Sequence, residues 1–535
     1  MKKLTLTAIA SVFLTVCLAT DPYPKNEAID VQHYVFRLDL NDSTNHIVGE
    51  ASITIQFRKA LTAFELDLLE KGPKGFGMTV TEVLTSTHSL AFAHAGGRLH
   101  ITLAPATSAG ETRTFLIRYH GIPEDGLIIG TNKFGDRGFF GDNWPDRGHQ
   151  WLPCIDHPSD KATVEFAIMA PDKYQVVATG KRIEESNFPR GQKLTRYRES
   201  APVAVKVMTI GVARFAVEET ADVDHIPQST WVYPQNREAG FHDFAVGVKV
   251  FGFFHTNIGP YAFEKLAHVQ SKTRWGGLEN AGNIFYMEGA VTGKNQHEGL
   301  IAHETAHQWF GNSVTENDWH HVWLSEGFAT YFASLYTEFA HGQQPFAEEM
   351  KNSRQSVVKY FAKNQKPIVD TTIVNIGQVL STNTYQKAGW VLHMLRMKIG
   401  DDAFWKGIKN YYAIYKNKNA LTADFRKVME EASGSDLKDF FQQWFYRGGH
   451  PQLNLTWTYS KSKKMIQMEV RQRQAVPFQF PLDVEVSYPD GTTMTKTFPV
   501  GGALEIIQIP AATKPKSIQL DPGTRLLFEA EMKER

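Results

Sequence analysis

The chain has 535 residues, of which 42% are hydrophobic and 21% charged. This is the composition of a globular protein rather than of a disordered one. Lysine plus arginine and aspartate plus glutamate number 57 each. This balance disfavours a nucleic-acid-binding protein or a polybasic membrane-surface protein, because both need a basic excess. The length exceeds what one hydrophobic core supports, so we expect two to four domains.

Residues 1–19 are predicted to be a secretory signal peptide. Lys2 and Lys3 precede an apolar stretch that is too short to span a membrane. The segment Cys17-Leu18-Ala19 is a candidate cleavage site, and the alternative is a lipoprotein signal in which Cys17 receives a lipid anchor. Either signal predicts export to the periplasm or the outside of the cell. After its removal we expect no transmembrane span.

Short apolar runs between residues 20 and 216 predict an N-terminal β domain. Every second residue from Ala51 to Phe57 is apolar, which is the period of a half-buried strand. Glycine, proline and aspartate clusters separate further runs of this kind. These runs are 99–103, 114–119, 162–170 and 203–212.

The pattern changes twice in the rest of the chain. Residues 217–448 show more helical periodicity, for example at 389–398 and 421–432, and predict an α-rich domain. Residues 449–535 return to alternation, with a turn at 489–491 between two strands. They predict a small β-sandwich. The expected fold class is therefore multi-domain α+β, in the order β, α-rich, β.

A candidate metal site begins at His303 and His307. Residues four apart on a helix project from the same face, so two imidazoles at this spacing can share one Zn²⁺. Glu304 lies ~100° further round the helix, where it can reach a water without replacing it, and Gly311 can end the helix. The alternative for this H-E-x-x-H motif is a buried helix whose histidines are hydrogen-bonded.

Glu326 is the candidate third ligand, with eighteen residues between it and His307. We interpret Ser325 as a helix N-cap, so that Glu326 opens a second helix. A carboxylate there completes a His₂Glu site that leaves one position for water. The sequence thus predicts one zinc ion per chain on His303, His307 and Glu326. Alternatively, Glu326 is a solvated carboxylate favoured by the helix dipole.

The chain resembles the aminopeptidase N and leukotriene hydrolase family of zinc metallopeptidases. The resemblance lies in the H-E-x-x-H motif, the eighteen residues after it and the glutamate of the segment W-L-S-E-G-F-A. The segment His307–Asn312 has the same family's pattern. The resemblance implies a saddle-like N-terminal β domain, a thermolysin-like catalytic domain and a small C-terminal β-sandwich. Longer members continue into a large helical domain. Only about 86 residues follow Gly449, so we expect a short bacterial-type member with a more open cleft.

By the same resemblance, a glycine-rich element upstream of the zinc motif binds the substrate. Its residues are Gly276, Gly277, Leu278, Glu279 and Asn280. The two glycines would let an extended substrate pair with the backbone, and Glu279 would bind its free α-ammonium group. We therefore expect peptides with a free N-terminus as substrates. The alternative is an ordinary β-turn.

The segment Thr384–Gly389 resembles the family segment that carries a catalytic tyrosine. Tyr385 would donate a hydrogen bond to the oxyanion of the tetrahedral intermediate; otherwise it is a packing residue. The chain departs from the family pattern at Ala388, where glycine is commoner, and at Asp142-Asn143, near the place of a substrate-binding glutamine. His320-His321 stand where an acidic residue is frequent; they either support the metal ligands or are exposed, and we expect them to be exposed.

Together these features predict a zinc-dependent aminopeptidase. It would hydrolyse the N-terminal peptide bond through a zinc-activated water, with Glu304 as the general base. Three alternatives stay open: an epoxide or ester hydrolase on the same zinc site, a binding protein on a degenerate peptidase fold, and a thermolysin-like endopeptidase. Glu279 disfavours the endopeptidase, because it would recognise a free N-terminus.

Overall fold

A computed structural model describes residues 21–535 of the chain. The predicted signal peptide and the lipidation site at Cys17 lie outside the described residues. Within residues 21–535, no helix combines the length and the apolar character that a membrane span needs. The described chain passes from strands to helices and back to strands, so the predicted multi-domain α+β fold class is confirmed.

The N-terminal part is built from strands in three sheets. The strands are β1 (Ile29–Asp39), β2 (Ile47–Phe57), β3 (Ala63–Asp67), β4 (Gly77–Leu84), β5 (Phe92–Ala95), β6 (Arg98–Thr102), β7 (Thr112–Ile122), β8 (Leu127–Thr131), β9 (Arg137–Gly141), β10 (Lys161–Pro171), β11 (Gln175–Ala178), β12 (Lys181–Phe188), β13 (Gln192–Ala204) and β14 (Ile210–Ala213). The sheets have the strand orders β12-β13-β10-β1-β2-β7-β4, β11-β14-β9-β8 and β3-β6-β5.

The predicted alternation in β2 corresponds to its burial. The apolar residues from Ala51 to Phe57 are fully buried, and the polar residues between them are half-buried. The predicted run 203–212 differs, because a 3₁₀ turn at Val205–Val207 divides it between β13 and β14. At this turn the side-chain amide of Asn143 donates to the carbonyl oxygens of Val205 and Met208. These contacts from elsewhere in the chain satisfy carbonyls that a continuous strand would pair in a sheet.

The middle part combines helices with a small sheet. Its helices are α1 (Arg237–Phe244), α2 (Gly247–Asn257), α3 (Glu298–His307), α4 (Trp323–His341), α5 (Gln343–Phe361), α6 (Ala388–Ile399), α7 (Asp401–Tyr415), α8 (Thr422–Ser433) and α9 (Lys438–Phe445). Its strands are β15 (Ala216–Val223), β16 (Ile226–Val232), β17 (Leu266–Gln270), β18 (Gly277–Leu278), β19 (Asn283–Tyr286), β20 (Thr315–Glu316) and β21 (Asn419–Ala420). Helices α6 and α8 correspond to the predicted helical segments 389–398 and 421–432.

The C-terminal part consists of strands in two sheets. The strands are β22 (Gln452–Ser460), β23 (Met465–Gln472), β24 (Phe480–Ser487), β25 (Thr493–Val500), β26 (Leu504–Pro510), β27 (Ser517–Leu520) and β28 (Glu529–Glu534). Their orders are β26-β23-β22-β28 and β25-β24-β27. The predicted turn at 489–491 joins β24 to β25, and Gly491 there has φ +87°. We propose domain boundaries near residues 216 and 449, where these groups of elements meet.

Four elements of the middle part carry the candidate site. Helix α3 packs against α4 and against β18, and α4 also contacts the segment Asn383–Lys387 that leads into α6. Strand β18 is an edge strand, because its sheet has the order β15-β16-β17-β19-β18. The ends of a helix pair, a sheet edge and a helical turn therefore meet around one cleft.

Candidate active site

Two histidines of α3 and one glutamate of α4 converge on a single point. The Nε2 atoms of His303 and His307 are 3.1 Å apart. Oε2 of Glu326 lies 3.5 Å from the first and 3.3 Å from the second. Nitrogen and carboxylate ligands in this number are the set that zinc takes in a hydrolytic site, with a fourth position left for water. The three predicted ligands are thus brought together.

The other ring nitrogen of His307 is held by its neighbours. Nδ1 lies 3.2 Å from the carbonyl oxygen of Phe310 and 3.0 Å from Oγ of Ser325. A carbonyl oxygen can only accept, so Nδ1 carries the hydrogen and donates it. In the neutral ring that a metal ligand needs, Nε2 then keeps its lone pair and faces Glu326 and His303.

Ser325 is therefore not the helix N-cap that the sequence predicted. Helix α4 begins two residues earlier, at Trp323, with Val322 in the N-cap position. The chain enters it from the 3₁₀ turn Trp319–His321, so the backbone is already helical at Val322. Ser325 falls in the first turn, where its hydroxyl contacts His307 instead of capping the helix.

The charges of the cleft fit a cation. Three carboxylates, those of Glu279, Glu304 and Glu326, are buried there. Burial raises the pKa of Glu304 well above its usual range, and Glu279 adds to this. Burial acts to lower the pKa of His307, but Glu326 and Glu279 outweigh it and raise that pKa to about 10. Unbalanced buried charge is costly, so both the donor set and the negative charge suit a divalent metal ion such as Zn²⁺.

The glycine-rich element forms β18 and the turn that follows it. Gly277 and Leu278 pair with Tyr286 and Phe285 of β19. Because β18 is at the edge of its sheet, its other side can pair with an extended peptide. Glu279 is 5% exposed, and its Oε1 has no hydrogen-bond partner among residues 21–535.

Two side chains that the sequence reasoning did not single out hold Glu279 in place. Nε2 of Gln308 donates to the carbonyl oxygen of Glu279 at 3.0 Å, and Nδ2 of Asn312 donates to the same oxygen at 2.5 Å. Oε1 of Gln308 also accepts from the backbone N–H of Gly282 at 2.9 Å. Gln308 and Asn312 belong to the family-like segment that follows the zinc motif. Their contacts join α3 to the glycine-rich element.

Gly277 of β18 lies directly against the side chain of Glu304, the candidate base. A Cβ added there would overlap the carboxyl group of Glu304. We therefore expect Gly277→Ala to displace that carboxyl group and to lower kcat/KM by roughly 100-fold, as a misplacement of about 1 Å can do. Steady-state kinetics on an aminoacyl amide measures this effect.

Gly299→Ala is the matched control for Gly277→Ala. Gly299 lies on the same helix as Glu304, and a Cβ added to it meets no atom within 4 Å. The control variant should keep the activity of the wild type. Equal activity in the two variants would show that contact between Gly277 and Glu304 does not limit catalysis.

Tyr385 lies beside the candidate metal ligands, on a π-helical turn at Asn383–Lys387 that leads into α6. Its ring is stacked on that of His303, with centroids 6.0 Å apart. Burial raises the pKa of Tyr385 well above its usual range, so its hydroxyl stays protonated and can donate. Ala388, which replaces the commoner glycine, packs where Gly327 has no side chain.

Asp142 and Asn143 do not line the cleft. Both are fully buried. Asp142 accepts hydrogen bonds from Arg147 and Thr273. The side-chain amide of Asn143 donates to backbone carbonyls and accepts from the indole N–H of Trp151. The next residue, Trp144, lines the cleft instead. No periodicity or motif in the sequence distinguished Trp144 from an ordinary core residue.

The expectation that His320 and His321 are exposed is wrong. His320 is buried, and its Nε2 lies 3.0 Å from the carbonyl oxygen of Ile373. His321 is half-buried, with Nδ1 2.8 Å from Oγ1 of Thr422. Both lie in the 3₁₀ turn before α4, which distant segments of the chain cover.

Comparison with known proteins gives an independent view of the fold. Residues 243–444 match the Peptidase family M1 domain, and residues 30–204 match the Peptidase M1 N-terminal domain. An M1 zinc metallopeptidase from Deinococcus radiodurans, solved as a mutant, superimposes with a TM-score of 0.67 at 23% identity. The alignment covers 78% of this chain and 94% of that one, so the two share their fold.

Curated relatives are similar over the same part of the chain. Bovine glutamyl aminopeptidase is 27% identical over 351 residues, which are 63% of this chain and 37% of the relative. Probable aminopeptidase 2 of Sulfurisphaera tokodaii is 27% identical over 358 residues, which are 63% of this chain and 45% of the relative. The chain thus spans less than half the length of these relatives. With both domain matches, the fold and the convergent site, it belongs to peptidase family M1.

Proposed function

We propose that this chain is a zinc-dependent aminopeptidase, which hydrolyses the first peptide bond of peptides with a free N-terminus. One zinc ion per chain would be held by His303, His307 and Glu326. The family, the names of the relatives and the convergence of these three side chains support the proposal. The position of the cut within the peptide rests on Glu279.

The position of Glu279 is the observation that supports specificity for a free N-terminus. Its carboxylate is buried in the same cleft as the three candidate ligands, and Oε1 has no hydrogen-bond partner among the described residues. A peptide α-ammonium group would supply both the missing donor and the opposite charge. A blocked N-terminus would leave the buried carboxylate unpaired, which a site of this kind rejects strongly.

The mechanism follows from the positions of the side chains. When bound, zinc supplies a Lewis acid that lowers the pKa of a water in the site. Glu304 would accept the proton of the attacking water and later return a proton to the leaving amine. The hydroxyl of Tyr385 would donate a hydrogen bond to the oxygen of the carbonyl under attack, where negative charge develops. The free edge of β18 would hold the substrate extended.

We also propose that the protein is exported to the periplasm or the extracellular space. The two lysines and the short apolar stretch in residues 1–19 support a signal peptide. Lipidation at Cys17 is the alternative, which would attach the protein to a membrane. The balanced charge of the chain supports peptides, rather than nucleic acids, as its partners.

Hydrolysis of a fluorogenic phenylalanyl amide and of its N-acetylated form tests the proposed function. We expect zinc-loaded protein to cleave only the free amine, a chelator to abolish the activity and added zinc to restore it. Glu279→Gln should lower kcat/KM on the free amine by roughly 100-fold or more, because it removes one partner of a buried charge pair. Glu348→Gln, on an exposed part of α5, should have no effect. Equal cleavage of both amides, or chelator-resistant cleavage, would refute the proposal.

A further inference from the structure

The cleft beside the candidate ligands has a volume of about 310 Å³. Apart from the candidate metal ligands and the side chains of Glu279, Glu304 and Tyr385, the side chains that line it are apolar. They are Trp144, Trp275, Leu278, Leu300 and Leu380. A space of this size and lining suits a small molecule or one amino-acid residue with its side chain, rather than a long polar ligand.

Two indoles, those of Trp144 and Trp275, line the cleft that also contains Glu279 and the candidate metal ligands. Trp275 directly precedes the glycine-rich element that ends in Glu279. Trp144 meets it edge to face, with ring centroids 6.5 Å apart and an interplanar angle of 75°. The side chain of a substrate's first residue branches between its ammonium group and its scissile carbonyl. With the ammonium on Glu279 and the carbonyl at the candidate metal ligands, that side chain would lie within the same cleft, which both indoles line.

Trp144 also contacts side chains that lie outside the cleft. It packs edge to face on Trp319 at 5.6 Å, and the ammonium group of Lys206 lies 5.8 Å from its ring centroid. That ammonium is paired with Glu316 at 2.5 Å, and both side chains are almost fully buried. A cation at this distance from an aromatic face is attracted to it. Since Lys206 is neutralised by Glu316 and does not line the cleft, it is not available to a substrate.

The charges in the cleft disfavour an acidic first residue. Among the described residues that line it, none is lysine or arginine. The three carboxylates of Glu279, Glu304 and Glu326 would be balanced by one divalent metal ion and one substrate ammonium group. A substrate carboxylate would add an unpaired buried negative charge, which is costly. A neutral apolar side chain adds none and removes its own surface from water.

Resting on the proposed function, we infer that this enzyme selects peptides whose first residue has a large apolar or aromatic side chain. Trp144 and Trp275 are the residues that determine this selection. Aromatic rings favour edge-to-face or offset-stacked partners, and a pair of indoles offers both.

A panel of coumarin amides of phenylalanine, leucine, alanine and glutamate tests the inference on zinc-loaded wild-type protein. One methylene in an apolar pocket changes kcat/KM by roughly 10–200-fold, so phenylalanine should exceed alanine by at least about 30-fold, and glutamate should be the poorest. In Trp275→Ala the ratio of kcat/KM for the phenylalanine amide to kcat/KM for the alanine amide should fall by at least about tenfold, because apolar contact with the larger side chain is lost. Trp405→Ala, on α7 outside the cleft, is the control and should keep the wild-type ratio.

A binding measurement gives a readout independent of turnover. The dipeptides Phe-Ala, Ala-Ala and Glu-Ala are titrated by calorimetry into the zinc-loaded Glu304→Gln variant. We expect the affinities to decrease in that order and the order to weaken when Trp275→Ala is added. If Trp275→Ala does not fold, Trp144→Phe replaces it. The ratio of kcat/KM for the phenylalanine amide to that for the alanine amide should then fall by about threefold or more, because the smaller ring keeps only part of the apolar contact.

The outcomes separate the inference from the proposed function. Zinc-dependent cleavage that favours alanine or glutamate overturns the inference and leaves the aminopeptidase in place. The same conclusion follows if Trp275→Ala keeps the wild-type ratio. If none of the free aminoacyl amides is cleaved, the proposed function fails and the inference fails with it.

Discussion

Glu304→Gln is expected to lower kcat by about 10²–10⁴-fold, which is the usual contribution of a general base. Glutamine has nearly the same shape as glutamate but cannot take up a proton at neutral pH. Glu304 is buried in the cleft and lies one residue after His303 on α3. It is outside the convergent set of His303, His307 and Glu326, so the variant should bind zinc as the wild type does. Steady-state kinetics and zinc determination on the same sample measure both effects.

Glu298→Gln is the matched control for Glu304→Gln. Glu298 is the first residue of α3, where its carboxylate accepts hydrogen bonds from Tyr336 and His341 away from the cleft. This variant should retain near-normal kcat. A zinc-loaded Glu304→Gln enzyme with near-normal turnover would assign the proton transfer to another group.

Glu326→Gln is expected to lower the affinity for zinc by more than about 100-fold. Four-ligand structural zinc sites bind with about 10–16 kcal/mol, so one ligand contributes roughly 3 kcal/mol. The neutral amide also leaves the positive charge of the metal less well balanced beside the two histidines. Competition with a fluorescent zinc chelator gives the affinity. Zinc should raise the melting temperature of the wild type and should have a much smaller effect on the variant.

Glu338→Gln controls for the loss of a carboxylate from the same helix. Glu338 lies twelve residues further along α4, about 18 Å by the helix rise, and pairs with Arg396. Its zinc affinity should equal that of the wild type. Undiminished zinc binding in Glu326→Gln would place the metal elsewhere, for example on the neighbouring carboxylates of Glu279 and Glu304.

The proximity of the candidate ligands could be predicted because helical geometry is local. His303 and His307 are one turn apart whatever surrounds them. The approach of Glu326 depends on how α4 packs on α3, and only the spacing within a family-like motif indicated it. The period-two pattern likewise predicted β2, since its alternate side chains face a core.

Contacts between distant segments could not be predicted from the sequence. Ser325 was assigned to a helix end from its residue type, although its hydroxyl contacts a ring eighteen residues away in the chain. Trp144 reaches the cleft from the N-terminal part, where no pattern distinguishes it. The side chains of Gln308 and Asn312 bind the carbonyl of Glu279 across 29 and 33 residues. A sequence pattern indicates neither the contact partner of such a side chain nor the direction in which the side chain points.

The apolar character of the cleft surface formed by Trp144 and Trp275, in contrast, follows from the residue types once the structure has brought them together. Neither Trp144 nor Trp275 carries information about a substrate on its own, because a buried tryptophan usually packs in a core. Their edge-to-face contact beside Glu279 gives them a common surface in the cleft. The selection for a large apolar first residue is therefore a consequence of tertiary structure.

Mass spectrometry of one peptide with a free N-terminus and its N-acetylated copy tests the central claim most directly. Both copies begin with phenylalanine and are incubated with zinc-loaded wild-type protein, with and without a chelator. The proposed site predicts that the free peptide loses its first residue, that the acetylated copy stays intact and that the chelator stops the reaction. Internal cleavage, or equal cleavage of the acetylated copy, would contradict the role of Glu279 and with it the aminopeptidase.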